Sequence, residues 1–133
     1  MTSLPQSDDT PFVRTHFSDE EAWQALSTAV GTPNEDDFLA YVHVVDDPAF
    51  RDLSPEEVAA RADGHRLIIV ADETAMTSPE MPLLVLHLDD DGWDEVRVIA
   101  EELWSIENNI SIANMDWEEF TGAVDHDGVF RGF

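Results

Sequence analysis

The sequence predicts a single α/β domain: a parallel β-α-β-α-β opening, extended by an antiparallel hairpin and closed by C-terminal helices packed on the sheet. Three observations carry this. Apolar runs such as Phe38–Val45, Leu67–Ala71 and Pro82–Leu88 lack polar alternation, the pattern of strands buried on both faces. Helix-start signals lie between the first of these runs. A length of 133 residues with 43% hydrophobic content suits one domain with a real core.

In chain order, residues 1–11 are expected to be a disordered start, and the domain proper to run over 12–133. Met1–Thr10 holds no basic residue, so no signal peptide is expected there. Phe12–Phe17 reads as the first strand. Ser18 with Glu21 three residues on has capping-box spacing, and Trp23, Leu26 and Val30 form one apolar stripe. Gly31, as a left-handed cap, and Pro33 are expected to end that helix. Phe38–Val45 is the second strand, stopped by Asp46-Asp47-Pro48.

Ser54-Pro55-Glu56-Glu57 is a full helix start, with Leu53 placed to pack on Val58. That helix ends near Gly64, and Arg66–Ala71 is the third strand. A loop through Ser78-Pro79 leads to the strand Pro82–Leu88. Asp89–Gly92 turns the chain into a fifth strand carrying Val96 and Val98. Residues 101–113 read as a helix through Leu103, Ile106 and Ile110, with strand alternation at Ile110-Ser111-Ile112 as the alternative. Asp116 with Glu119 opens a last helix, Asp127-Gly128 is a turn, and Val129–Phe133 is expected to dock its aromatics on the body.

Composition excludes several functions. The chain has 30 Asp and Glu against 6 arginines, no lysine, no cysteine and a formal charge of −24. Without cysteine there is no disulfide, thiolate metal site or cysteine nucleophile. Such a charge repels phosphates, so no direct nucleic-acid binding is expected. No apolar run reaches the ~20 residues that span a bilayer, which places the chain, as an expectation, in the cytoplasm away from membranes.

Chemical motifs are sparse. There is no phosphate loop, dinucleotide fingerprint or Gly-x-Ser-x-Gly elbow, and His16, His43, His65, His87 and His126 show no zinc spacing. His43 and His87 sit in strands and can in principle meet across the sheet. Calcium-loop registers on Gly92 and Gly128 fail. No cofactor is expected. One enzymatic alternative stands: Asp46, Asp47 and Asp72 follow parallel strands, at the rim where open sheets bind ligands, and would hold a divalent metal if they converged within about 5 Å of a point.

The carboxylates spread over nearly every loop and exposed helix face, the pattern of a highly soluble, self-repelling surface. Read as function, the charge suggests recognition of a basic protein, by an inhibitor or immunity-like partner, with a DNA mimic as a variant with its acids in rows. The most unusual stretch is Trp104–Trp117, with three Asn and two Trp. Its amides either satisfy backbone at a sharp bend or make a recognition patch beside the Trp rings. The candidate interaction residues are Asn108, Asn109, Asn114, Asp116, Trp117, Asp125, Asp127 and Arg131.

Arg14–Asp19, Val45-Asp46-Asp47, Thr77-Ser78-Pro79-Glu80, Glu107–Asp116 and Asp127–Phe133 together resemble a family of small acidic proteins of unknown function from actinomycete bacteria. The resemblance spans residues 12–133. It implies a stand-alone bacterial domain and brings no activity or site residues. In that pattern an acid is more usual where His16 stands, which counts against a metal on that rim.

Overall fold

The computed structural model describes residues 3–133. It is one six-stranded mixed sheet of order β2-β1-β3-β4-β5-β6. The strands are β1 (Thr10–Arg14), β2 (Val42–Val45), β3 (Leu67–Ala71), β4 (Pro82–Asp89), β5 (Gly92–Ile99) and β6 (Val129–Phe130). β1 pairs parallel to β2 and β3, then β3-β4-β5 run antiparallel, and β6 returns parallel to β5. The helices are α1 (Glu20–Val30), α2 (Pro55–Ala60), α3 (Glu73–Thr77), α4 (Leu103–Ser111) and α5 (Trp117–Thr121). Short 3-10 turns occupy Pro48–Phe50 and Ala100–Glu102. The parallel opening, the hairpin and the helices on the sheet stand as the sequence predicts.

Both faces of the sheet are buried, which is why its central strands are apolar throughout. Ile69, Leu83, Val85, Val96 and Val98 meet Trp23 and Leu26 of α1, Ile106 of α4 and Phe120 of α5. The opposite residues, Ile68, Val70, Leu84 and Leu86, pack on Val58 of α2, Phe50 and Leu4. Of the segment expected to be disordered, residues 1 and 2 lie outside the described residues. Leu4 is 2% exposed and its N–H donates to the Arg61 carbonyl. β1 opens two residues before the expected boundary at 12.

Several local expectations change. Asp19, not Ser18, caps α1, accepting from the Ala22 N–H at 3.0 Å; a carboxylate is the stronger acceptor at a helix N-terminus. Gly31 ends the helix at φ −82°, without a left-handed turn. The Ser54–Glu57 capping box forms as read. α3 stands where a loop was expected, capped by Asp72 on the Ala75 N–H. β6 adds two residues of strand that side-chain docking alone did not require. Residues 103–111 are helix, which settles the ambiguous stretch. His43 and His87 lie on β2 and β4, with β1 and β3 between them, so they do not meet.

The largest change is at Phe38–Tyr41, which is not strand. Its backbone is claimed elsewhere. Asn34 Oδ1 accepts from the N–H groups of Asp36 and Phe38, and Asp37 turns the loop at φ 66°. Asn108 Nδ2 donates to the Leu39 carbonyl, and the Tyr41 N–H donates to Glu107. β2 therefore starts only at Val42. Among the described residues no helix is long and apolar enough to cross a membrane.

Candidate functional site

Doubly wound sheets bind ligands at the carboxyl ends of the strands where the order reverses, here between β1 and β3. That rim is filled. Arg14 is buried, donates to Glu20 at 2.8 Å, to Asp46 at 3.2 Å and to the His16 carbonyl, and lies over the rings of Phe17 and Trp23. Asp72 receives both terminal nitrogens of Arg97 at 2.8 Å and caps α3. Asp47 caps the 3-10 turn by accepting from the Ala49 N–H. The three aspartates thus serve three separate partners. Among the described residues no three His, Asp or Glu side chains are grouped to hold a metal.

The Asn-rich segment has an inward job. Glu107 is 3% exposed, and its carboxylate accepts from the Tyr41 N–H, Thr10 Oγ1, Ser111 Oγ and Asn108 Nδ2. Asn109 Nδ2 donates to the Ser105 carbonyl, and Asn114 Nδ2 donates to Asn109 Oδ1. Asp116 is exposed, and its N–H donates to Glu119 in the α5 capping box. Trp117 is buried, stacked on His87 at 4.9 Å, with its indole N–H donating to Asp94. These residues hold α4 and α5 to the sheet and pin the loop before β2.

Asp125, Asp127 and Arg131 do come together, joined by Glu80, which is not among the candidate interaction residues. Arg131 donates to Glu80 through Nε and Nη2, to Asp125 through Nη1 and to Asp127 through both terminal nitrogens. The guanidinium holds the Asp127 carboxyl down at about 2 and lowers Glu80, while the three carboxylates raise Arg131. The cluster neutralises much of its own charge and ties the C-terminal tail to the loop before β4.

A cleft of about 870 Å³ opens beside this cluster, between the α1–β2 loop and the start of α4. Glu35, Asp36, Glu80, Glu101 and Glu102 line it, and no arginine or histidine does. Its aromatic wall is Phe38 stacked on Trp104, with ring centroids 4.7 Å apart and planes 12° from parallel. Phe38 remains 47% exposed. Desolvation, then repulsion from Glu101, raises the Glu102 carboxyl above its ordinary value. Gly132, at φ +108°, passes so close that an added Cβ would touch the Glu102 carboxylate at 3.4 Å.

An acidic single-domain α/β protein with a carboxylate-lined, aromatic-walled cleft is thus the class that fold and site define. The chain belongs to the family described as a domain of unknown function, DUF6924, which matches residues 9–133. No curated protein matches it.

Proposed function

We propose that this chain is a non-enzymatic protein-interaction domain, an inhibitor or immunity-like partner of a basic protein, and that it receives a cationic side chain of that protein in the cleft. The observation that carries this reading is the lining itself: Glu35, Asp36, Glu101 and Glu102 stand beside an open aromatic stack with no arginine or histidine in the lining, the fifth carboxylate, Glu80, being held by Arg131. An arginine guanidinium is planar, pairs with carboxylates and stacks on aromatic faces, so it fits both halves of the wall. A bound cation would also relieve the raised Glu102 carboxyl. The overall charge of −24 would speed the encounter at low salt.

The residues first singled out contribute less directly. Asn108 and Asn109 spend their amides on backbone, and Asp125 and Asp127 are already paired with Arg131. They support the cleft rather than present it.

Calorimetric titration with a short oligoarginine tests the reading. Glu101→Gln/Glu102→Gln is expected to weaken binding about tenfold or more. An Asp8→Asn/Asp9→Asn variant, which removes the same charge at an exposed site, should bind within about twofold of wild type. Equal loss in both variants would mean that only bulk charge attracts the probe, and the cleft reading would fail.

A further inference from the structure

The two edges of the sheet are not alike. β6 is two residues long, and its Val129 carbonyl is taken by the Asp125 N–H. β2, at the other edge, has the sequence Val-His-Val-Val and contains no proline or formally charged residue. Natural edges are usually blunted by such residues, because an open edge templates another strand. The register pairs Thr10 with Val42, and the Thr10 N–H donates to the Tyr41 carbonyl. A parallel ladder uses alternate residues, so Tyr41, His43 and Val45 face β1 while the N–H and C=O groups of Val42 and Val44 face away from the sheet. Exposed apolar side chains flank this edge: Tyr41 at 64% and Val44 at 49%. Val44 lies within β2 and Tyr41 immediately before it.

We infer that β2 is a docking edge that takes an extended, basic segment of a partner protein as an added strand. The inference rests on the proposed recognition of a basic partner and supplies its mode. Acidic residues bracket the strand, with Glu35, Asp36 and Asp37 before it and Asp46 and Asp47 after it. Lysines or arginines at the ends of an added strand meet carboxylates at both ends. The entrance is continuous with the cleft, which Phe38, Leu39 and Ala40 line immediately before β2. A second copy of this chain fits poorly: antiparallel pairing of two β2 strands sets the acids before one strand against those after the other, between chains that each carry −24. In strand addition the backbone supplies affinity and alternate side chains supply selectivity.

The test uses a synthetic peptide of alternating valine and threonine with arginines at both ends, and the same peptide N-methylated throughout the valine–threonine stretch. Methylation keeps charge and side chains and removes the donors a strand needs. Val44→Pro is the matching change in the protein. It deletes an outward-facing N–H and leaves the pairing to β1 intact, so circular dichroism and the unfolding midpoint should show a native fold. The unmethylated peptide is expected to bind wild type about tenfold or more tightly than the methylated peptide does, and to lose a similar factor on Val44→Pro. Equal binding of both peptides to both proteins would overturn strand addition while leaving oligoarginine binding in the cleft unaffected. Failure of the unmethylated peptide to bind while oligoarginine still does would also overturn it. So would a dimer of the free chain, seen by sedimentation, that Val44→Pro dissociates.

Discussion

Replacing Glu107 probes the element on which the site depends. The side chain is 3% exposed and accepts four hydrogen bonds. In Glu107→Ala, Thr10 Oγ1 keeps a neighbour in Ser111 Oγ at 3.4 Å, and Asn108 keeps the Leu39 carbonyl. The Tyr41 N–H has no other acceptor among the described residues. An orphaned, partly buried donor costs ~1–2 kcal/mol, and the lost packing of the one methylene removed, Cγ, adds ~1 kcal/mol. The expected loss is therefore ~2–3 kcal/mol of a total stability of order 5–15 kcal/mol. Glu107→Gln should lose only ~1 kcal/mol: its oxygen can still accept from the Tyr41 N–H, and its NH2 can donate to the Thr10 and Ser111 hydroxyls, which rotate to accept. Urea unfolding at constant salt measures both, with an unchanged m-value as the check that the unfolded reference is the same. Glu118→Ala, at an exposed helix position, controls for removing one negative charge. A loss below ~1 kcal/mol in Glu107→Ala, or an equal loss in Glu107→Gln, would refute the view that this carboxylate pins Phe38–Tyr41.

Other outcomes follow from the same contacts. The folded pKa of Asp127 is depressed from 3.8 to about 2, so the stability it contributes is present above pH 3.8 and is lost as pH falls toward about 2. An NMR titration should place its midpoint near 2 in wild type and nearer 3.8 in Arg131→Gln. Glu102 shifts the other way, so its contribution is lost as pH rises through its raised pKa, and Glu102→Gln should raise the unfolding midpoint at neutral pH. Arg14→Met leaves Glu20 and Asp46 without their cation and removes the contacts to Phe17 and Trp23. With both acids partly solvated, thermal or urea unfolding should report a loss of ~2–4 kcal/mol. Added salt should raise the unfolding midpoint of the wild type by screening its surplus charge.

What the sequence disclosed was what neighbours in the chain decide. Ser54, Pro55 and Glu57 make a helix start with partners three residues apart, and Asp127-Gly128 turns on its own conformational preferences. Long unalternating runs disclosed strands that are covered on both faces. Phe38–Tyr41 misled because the decisive partners, Glu107 and Asn108, lie more than sixty residues away; apolar content alone reads as strand. α3 and β6 are too short for periodicity to register; α3 carries one local signal, the Asp72 cap on the Ala75 N–H, and β6 is fixed by its pairing with β5. Asn is a costly residue inside a helix, and that cost points to the backbone role that Asn108 and Asn109 take. The cleft was not legible. It is assembled from the α1–β2 loop, the turn before β4 and the start of α4, and no local pattern announces that these meet. The acids at the sheet rim carried the opposite hazard, since their types suit a metal while their partners are Arg14, Arg97 and backbone N–H groups.

The most direct test of the central claim is to map backbone amide shifts while oligoarginine is added to the full chain at moderate salt. The account predicts that the largest changes cluster at Glu35–Ala40 and Glu101–Trp104 and that they saturate together. Changes centred on Asn114, Asp125, Asp127 and Arg131, or spread evenly over every acidic surface, would contradict it.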